Sequence, residues 1–164
     1  MDLVIRRAVP ADLEAVGRIT HEAFVGDGHS PADGPYAAKL LDAGPRFEQA
    51  ELLVAVDPGD ERLLGCVTFA PGGTEFADIA GPHEGEIRML AVGGAARGRG
   101  AGEALVRATI ARSRELGLTG MAFSTRPSMT SAHRLYERLG FRRSPERDWE
   151  VRPGVELMVY TMTF

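Results

Sequence analysis

The sequence predicts a mixed α/β domain, and three observations carry that expectation. Short apolar segments of strand character alternate with stretches of helical spacing along the chain. Strand-helix-strand units in the second half call for parallel pairing, while Leu52 to Phe69 reads as an antiparallel hairpin. No internal repeat and no linker divides the 164 residues, a length suited to one domain of about 100–150 residues. Residues 1–164 are therefore expected to form a single domain around a central mixed sheet flanked by helices.

Val4 and Ile5 open a short strand. Leu13, Val16, Ile19 and Ala23 keep amphipathic helical spacing as far as Phe24. Gly26 to Pro35 is punctuated by glycine, proline and aspartate and reads as a loop. A short helix is expected over Tyr36 to Asp42, with Ala43-Gly44-Pro45 as its end. Leu52 to Val56 is a strand, Asp57 to Glu61 a turn, and Leu63 to Phe69 the returning strand. Ala70 to Gly85 reads as a long connection before the strand Glu86 to Val92. A glycine-rich loop, Gly93 to Gly100, leads into a helix from Gly100 to Leu116, with Leu105, Ala108, Thr109 and the stem of Arg112 as its inner stripe. Met121 to Thr125 is a strand, and Ser131 to Leu139 a helix stopped by Gly140. Val155 to Thr163 closes the chain as an alternating strand whose open edge suits pairing with a second chain, so monomer and homodimer both stand.

Composition narrows the function classes. At 44% hydrophobic and 26% charged, the chain has the balance of a protein with a real core. No apolar run approaches the ~18–20 residues of a membrane-spanning helix, and Met1 to Arg7 lacks the order of a signal peptide. One cysteine, Cys66, excludes a disulfide framework and a cysteine zinc cluster, and a cytoplasmic location is expected. Cys66 sits in mid-strand with no histidine near in sequence, which favours a buried inert thiol over an acyl carrier. The four histidines show no ligand spacing, so no metal is expected. Nothing resembles a basic stripe with interleaved aromatics, which argues against nucleic acid, as the absence of an apolar span argues against a membrane.

Charge is unevenly placed. Residues 1–87 hold 6 Lys+Arg against 16 Asp+Glu, and residues 88–164 hold 13 against 7. Lys39 is the only lysine among the 19 cationic residues, and arginine is the better fork for phosphate oxygens. An acidic half and a basic half suit a protein that handles one cationic and one anionic ligand, though solvated charge partitioned at random gives the same sums.

Arg97-Gly98-Arg99-Gly100-Ala101-Gly102-Glu103 lies between a strand and a helix. Unpaired N–H groups and a positive dipole at a helix start attract phosphate, and glycines let backbone approach closely. Arg97 and Arg99 add two charged forks. The alternative is a tight turn with solvent-facing arginines. Two nucleotide motifs fail outright. A Walker loop needs Gly-Lys-Ser/Thr, and Lys39 lies far away. A dinucleotide fingerprint begun at Gly98 meets Glu103 where glycine belongs, and one begun at Gly100 meets Leu105.

Three segments together resemble the GNAT superfamily of acetyl-CoA-dependent N-acetyltransferases. They are Glu86 to Val92, the run Arg97-x-x-Gly100-x-Gly102, and Ala132-His133-Arg134-Leu135-Tyr136-Glu137-Arg138-Leu139-Gly140-Phe141. The opening Ile5-Arg6-Arg7-Ala8 followed by Asp12-Leu13 is also similar to such chains. The resemblance implies a mixed, twisted sheet whose central parallel strands splay apart to hold coenzyme A. Acetyl-CoA is then a co-substrate, its pyrophosphate lying on Arg97, Gly98, Arg99, Gly100, Ala101 and Gly102. It further implies contacts from Leu90, Ala91 and Val92, where family strands carry a bulge; His133, one turn before Tyr136 on the same helical face, is a further candidate to touch the coenzyme. One position departs from the pattern: Met129 stands where many members carry asparagine. Ser128, Thr130 or Ser131 are the candidates to supply the missing bond, or Ser131 caps the helix.

Acetyl transfer to an amine needs a neutral nucleophile, donors for the oxyanion and a leaving thiolate. A lysine-like amine with pKa ~10.4 is mostly protonated near neutrality, and a nearby carboxylate, directly or through water, can take its proton. Glu86 matches the position of the base in the histone-acetylating branch of the family; Glu84 is second, and a plain strand-end carboxylate is the alternative. Backbone N–H groups near Leu90 and Ala91 are the economical oxyanion donors. Tyr136 is placed at the coenzyme sulfur by the motif, with core packing as its alternative. A phenol near pKa ~10 is a weaker acid than a thiol near ~8.5, so Tyr136 is expected to act by hydrogen-bonding the sulfur. The expected function is an N-acetyltransferase acting on a small-molecule or peptide amine, cationic in character, by direct attack in a ternary complex. A non-catalytic acyl-CoA-binding or sensor domain is the alternative.

Overall fold

Eight strands and five helices make up residues 3–164 in the computed structural model. The strands are β1 (Val4–Arg7), β2 (Glu51–Val56), β3 (Leu63–Pro71), β4 (Glu84–Val92), β5 (Gly120–Thr125), β6 (Arg142–Arg143), β7 (Trp149–Arg152) and β8 (Val155–Thr163). The helices are α1 (Leu13–His21), α2 (Pro35–Leu41), α3 (Gly44–Gln49), α4 (Ala101–Glu115) and α5 (Thr130–Arg138). The strand order is β1-β2-β3-β4-β5-β8-β6, with β7 paired to β8 off that path. Every pairing is antiparallel except β4 with β5.

Side-chain alternation sorts the core into two layers. Leu52, Val54 and Val56 of β2 join Cys66 of β3 and Val16 and Ile19 of α1 on one face. Leu53 and Ala55, with Val67 and Phe69, turn to the other face and meet Leu105 and Val106 of α4. Leu105 and Val106 are fully buried, each contributing about 1.5–3 kcal/mol. The inner stripe of α4 is Ala101, Leu105, Val106, Thr109 and Ser113, shifted from the expected one. Ala108 only packs at the edge of the core, and Arg112 leans out to Glu51 at 2.8 Å.

Three expectations are corrected. Ala43-Gly44-Pro45 ends α2 but also begins α3, because proline fits the first turn of a helix. The buried Arg46 of α3 donates to Lys39 O at 2.9 Å and Leu40 O at 3.2 Å, so it satisfies the last carbonyls of α2. The final strand is not an open edge: β5 pairs along it, and β6 and β7 also pair with it. β6 and β7 themselves were not expected. Finally, β4 begins at Glu84, two residues early, and this extension carries two of its three pairs with β5.

Candidate active site

β4 and β5 touch only over Glu84↔Gly120 to Glu86↔Ala122. Beyond those pairs β4 continues to Val92 and β5 to Thr125 with no ladder between them, so the strands splay. The gap is walled by Ile87 to Leu90 on one side and Phe123 to Thr125 on the other, with Met129, Ala132 and Tyr136 of α5 over it. On the far side of β4, Thr68 pairs with Arg88 and Cys66 with Ala91, so Met89 and Leu90 oppose Val67 alone. This bulge forces Met89 to a φ of 54° and takes a residue out of the ladder, as the resemblance led one to expect.

The gap opens at one end into a groove along the glycine loop. Leu90, Ala91, Val92, Arg97, Gly98, Gly100, Ala101 and Gly102 line it, as expected. Gly98 and Gly100 have φ of 82° and 78°, a region open to glycine but strained for other residues. Ala104 is bonded back to Gly100 O at 3.0 Å, so the N–H groups of Ala101, Gly102 and Glu103, residues that line the groove, precede the intrahelical ladder. Ser128, Thr130 and Ser131 line the opposite wall at the start of α5. Met129 is the cap residue there and makes no side-chain cap bond; it packs beside Phe24, Leu40 and Met89. Ser131 is not the cap.

Two expected cofactor contacts are absent from this groove. Arg99 turns away to Asp57 at 2.9 Å, in the turn between β2 and β3. His133 shares the buried face of α5 with Tyr136 but faces Tyr160, and its Nε2 lies 3.1 Å from Arg126 O and 3.2 Å from Thr125 Oγ1. Its burial depresses the imidazole pKa. Arg97 does line the groove, yet it is ion-paired with Asp27.

The other end of the gap holds the chemistry-bearing side chains. Glu86 is 2% exposed, at the last paired position before the strands part. Its Oε1 accepts the N–H of Ile79 at 2.8 Å and of Ala80 at 3.0 Å. Burial raises its pKa above the usual carboxylate value, with those two N–H groups pulling the other way. Glu84 has the opposite fate. Arg147 grips it at 2.9 and 3.0 Å and lowers its pKa, and Gly81 N–H donates to it at 2.9 Å. Glu84 is thereby a fastener for the connection between β3 and β4, not a free base.

Tyr136 is buried against Phe123, ring centroids 3.9 Å apart, and lines the gap together with Glu86. Burial alone pushes its phenol well above the ordinary value, so the hydroxyl stays neutral and a donor. Packing and site roles coincide in this residue. Cys66 is buried beside Thr20, its Sγ 3.3 Å from that hydroxyl, and burial raises its pKa; it is an inert thiol.

Outside Glu86 a wider cleft is formed by α2, α3, the β3–β4 connection and β7. Its charges were not foreseen. Arg88, Arg46, Lys39 and Arg152 line it beside Asp33, Asp42, Glu75 and Asp78, so the cleft carries both signs of charge. Among the described residues no group of three or more His, Cys, Asp or Glu is arranged to hold a metal, and no helix is long and apolar enough to cross a membrane.

Residues 15–141 match the Acetyltransferase (GNAT) family. A protein of Propionibacterium freudenreichii subsp. shermanii named mycothiol acetyltransferase is 34% identical over 135 residues, covering 79% of this chain and 40% of its own length. The chain thus spans about two-fifths of the length of the curated relatives it matches. A GCN5-related N-acetyltransferase from Kribbella flavida superposes with a TM-score of 0.71 at 28% identity, covering 99% of this chain and 98% of that one. A Salmonella typhimurium structure determined with its cofactor acetyl-CoA superposes at 0.66 with 20% identity, over 99% and 94% of the two chains.

Proposed function

The chain belongs to the GNAT acetyltransferase family, and on that premise we propose that it moves an acetyl group from acetyl-CoA to a primary amine in a ternary complex. The observation that carries this reading is the continuity of the gap. The groove lined by the glycine loop shares Leu90, Met129 and Ala132 with the gap that holds Glu86 and Tyr136.

In this reading the acceptor amine gives a proton to Glu86 and attacks the thioester carbonyl. The N–H groups of Leu90 and Ala91, at and just beyond the bulge, receive the developing oxyanion. The carbon–sulfur bond then breaks, and the new amide loses its second amine proton as the thiolate is protonated. The Tyr136 hydroxyl hydrogen-bonds that sulfur and need not ionise. The raised pKa of Glu86 suits proton acceptance, since a base works best when its pKa approaches the working pH. Residues 1–164 act as one transferase domain in this account, and mycothiol-related compounds enter the acceptor panel through the name of the curated relatives.

The test is thiol release from acetyl-CoA against a broad amine panel, with initial rates measured while both substrates vary. Intersecting rate patterns are expected. Silence across the panel with tight CoA binding would leave an acyl-CoA-binding module instead.

A further inference from the structure

We propose that the acceptor carries a free carboxylate next to its amine, as a small amino acid does, and that Arg88 selects it. The inference rests on the acetyl-transfer reading and adds the substrate class to it.

Glu86 and Arg88 are two residues apart on β4, so their side chains leave the same face of the strand, about 7 Å apart along it. Both line the gap. A carboxylate that accepts an amine proton thus stands beside a guanidinium, with room between them for the few bonds that join an amino group to its carboxylate. A simple amine would use the first group and leave the second facing its hydrocarbon.

Arg88 is held loosely. Its Nη1 lies 3.5 Å from Asp78 Oδ2 and 3.2 Å from Phe76 O, both long against the ~2.7–2.9 Å of a good charge-assisted bond. Asp78 and Arg88 line both the inner gap and the outer cleft, which places this ion pair at the neck between them. A zwitterion entering there gives Asp78 an ammonium and Arg88 a carboxylate, so neither ion is left without a partner when the pair opens. A bidentate carboxylate also uses the planar fork that the present contacts leave half employed.

The outer cleft supplies a second, independent observation. Arg46 is 1% exposed, lines the cleft, and its Nε finds no hydrogen-bond partner among the described residues. Arg88 lines the same cleft. Two guanidiniums on the wall of one cleft disfavour a purely cationic acceptor and favour one that brings a negative charge.

The experiment is thiol release from acetyl-CoA with matched sets: free amino acids, their amides and their decarboxylated amines. The wild-type protein is expected to use at least one amino acid with kcat/KM about 10–100-fold above its amide and its amine, mainly through KM. Arg88→Met should erase that preference while acetyl-CoA affinity, measured by calorimetry, stays within about twofold, and Arg88→Lys should restore part of it. Amides or simple amines acetylated in preference to the acids would overturn the substrate class and leave acetyl transfer standing. A preference intact in a CoA-binding Arg88→Met protein would remove Arg88 as the selector. No turnover with any member would sink the transfer reading and this inference together. Should Arg88→Met fail to bind CoA, the wild-type ranking still decides the substrate class.

Discussion

On the proposed reading, the two ends of the gap would recognise their ligands by different means. The cofactor end is built largely from backbone: two left-handed glycines, the uncapped starts of α4 and α5, and the bulge at Met89–Leu90. The acceptor end is built from charged side chains that converge from α2, α3, β4, β7 and the β3–β4 connection. Backbone donors suit a ligand that never changes, since no substitution short of altering a glycine or the helix start removes them. Side chains suit a ligand that differs between relatives, since each can be exchanged without disturbing the fold. Variants at the two ends should therefore separate acceptor kinetics from coenzyme affinity.

The largest separation is expected at Glu86. Glu86→Gln should lower kcat/KM for the amine about 10²–10⁴-fold near neutrality, with acetyl-CoA affinity unchanged. The deficit should shrink as pH approaches the amine's own pKa, because solvent then supplies the neutral nucleophile. Stability moves the other way. Burial raises the folded-state pKa of Glu86. Its stabilising contribution is therefore present below the unfolded value of about 4.3 and lost as pH rises through the raised folded value. Gln keeps an acceptor for Ile79 and Ala80 N–H, so the variant should melt above wild type at pH 8, with the difference closing near pH 4. Rates parallel to wild type at every pH would reduce Glu86 to the anchor of the β3–β4 connection.

Tyr136 lies between the two ends and should give a smaller, purely kinetic effect. Tyr136→Phe removes one hydrogen bond to a charged sulfur, about 1.5–3 kcal/mol, or roughly 10–100-fold in kcat. The ring remains packed at a tilt on Phe123 and edge-on to Phe141, so melting temperature and acetyl-CoA affinity should hold. Wild-type turnover in that variant would make Tyr136 a packing residue alone.

The same contrast explains what could be read before the structure. The glycine loop was legible because its chemistry is local, with alternate glycines, a strand before and a helix after, while the splay of the strands came from the family resemblance. The acceptor wall was not. Asp78, Arg88, Arg46 and Arg152 lie in separate segments, and each alone reads as solvated charge. Summing charge over residues 1–87 and 88–164 suggested an acidic and a basic half, but Arg46 and Lys39 from the first and Arg88 and Arg152 from the second meet in one cleft. β6 and β7 escaped notice because Arg142-Arg143 and Trp149-Glu150-Val151-Arg152 are short and charged, paired by the neighbouring β8 and not by apolar pattern. His133 was assigned to the coenzyme through shared helical spacing with Tyr136. Spacing fixes the face, but a buried face meets several neighbours, and His133 meets Tyr160.

The smallest expected effect concerns the cofactor end, where one side chain does intrude. Asp27 pairs with Arg97 at the groove, and both residues are well exposed. A phosphate arriving at Arg97 must compete with that carboxylate. Exposed ion pairs are worth about 0–1 kcal/mol, so Asp27→Asn should tighten acetyl-CoA binding by at most about fivefold. The gain should fade in high salt, which screens the competing charge as well as the phosphate contact. Arg97→Glu should weaken binding and flatten its salt dependence, whereas Arg99→Gln should leave both unchanged, because Arg99 is engaged with Asp57 away from the groove. Calorimetry at two salt concentrations measures all three variants. Equal losses from Arg97→Glu and Arg99→Gln would mean that Arg99 leaves Asp57 when the coenzyme binds. No change from Asp27→Asn would mean that the phosphates are held by the backbone of Gly98 to Gly102 alone, which would make the contrast between the two ends complete.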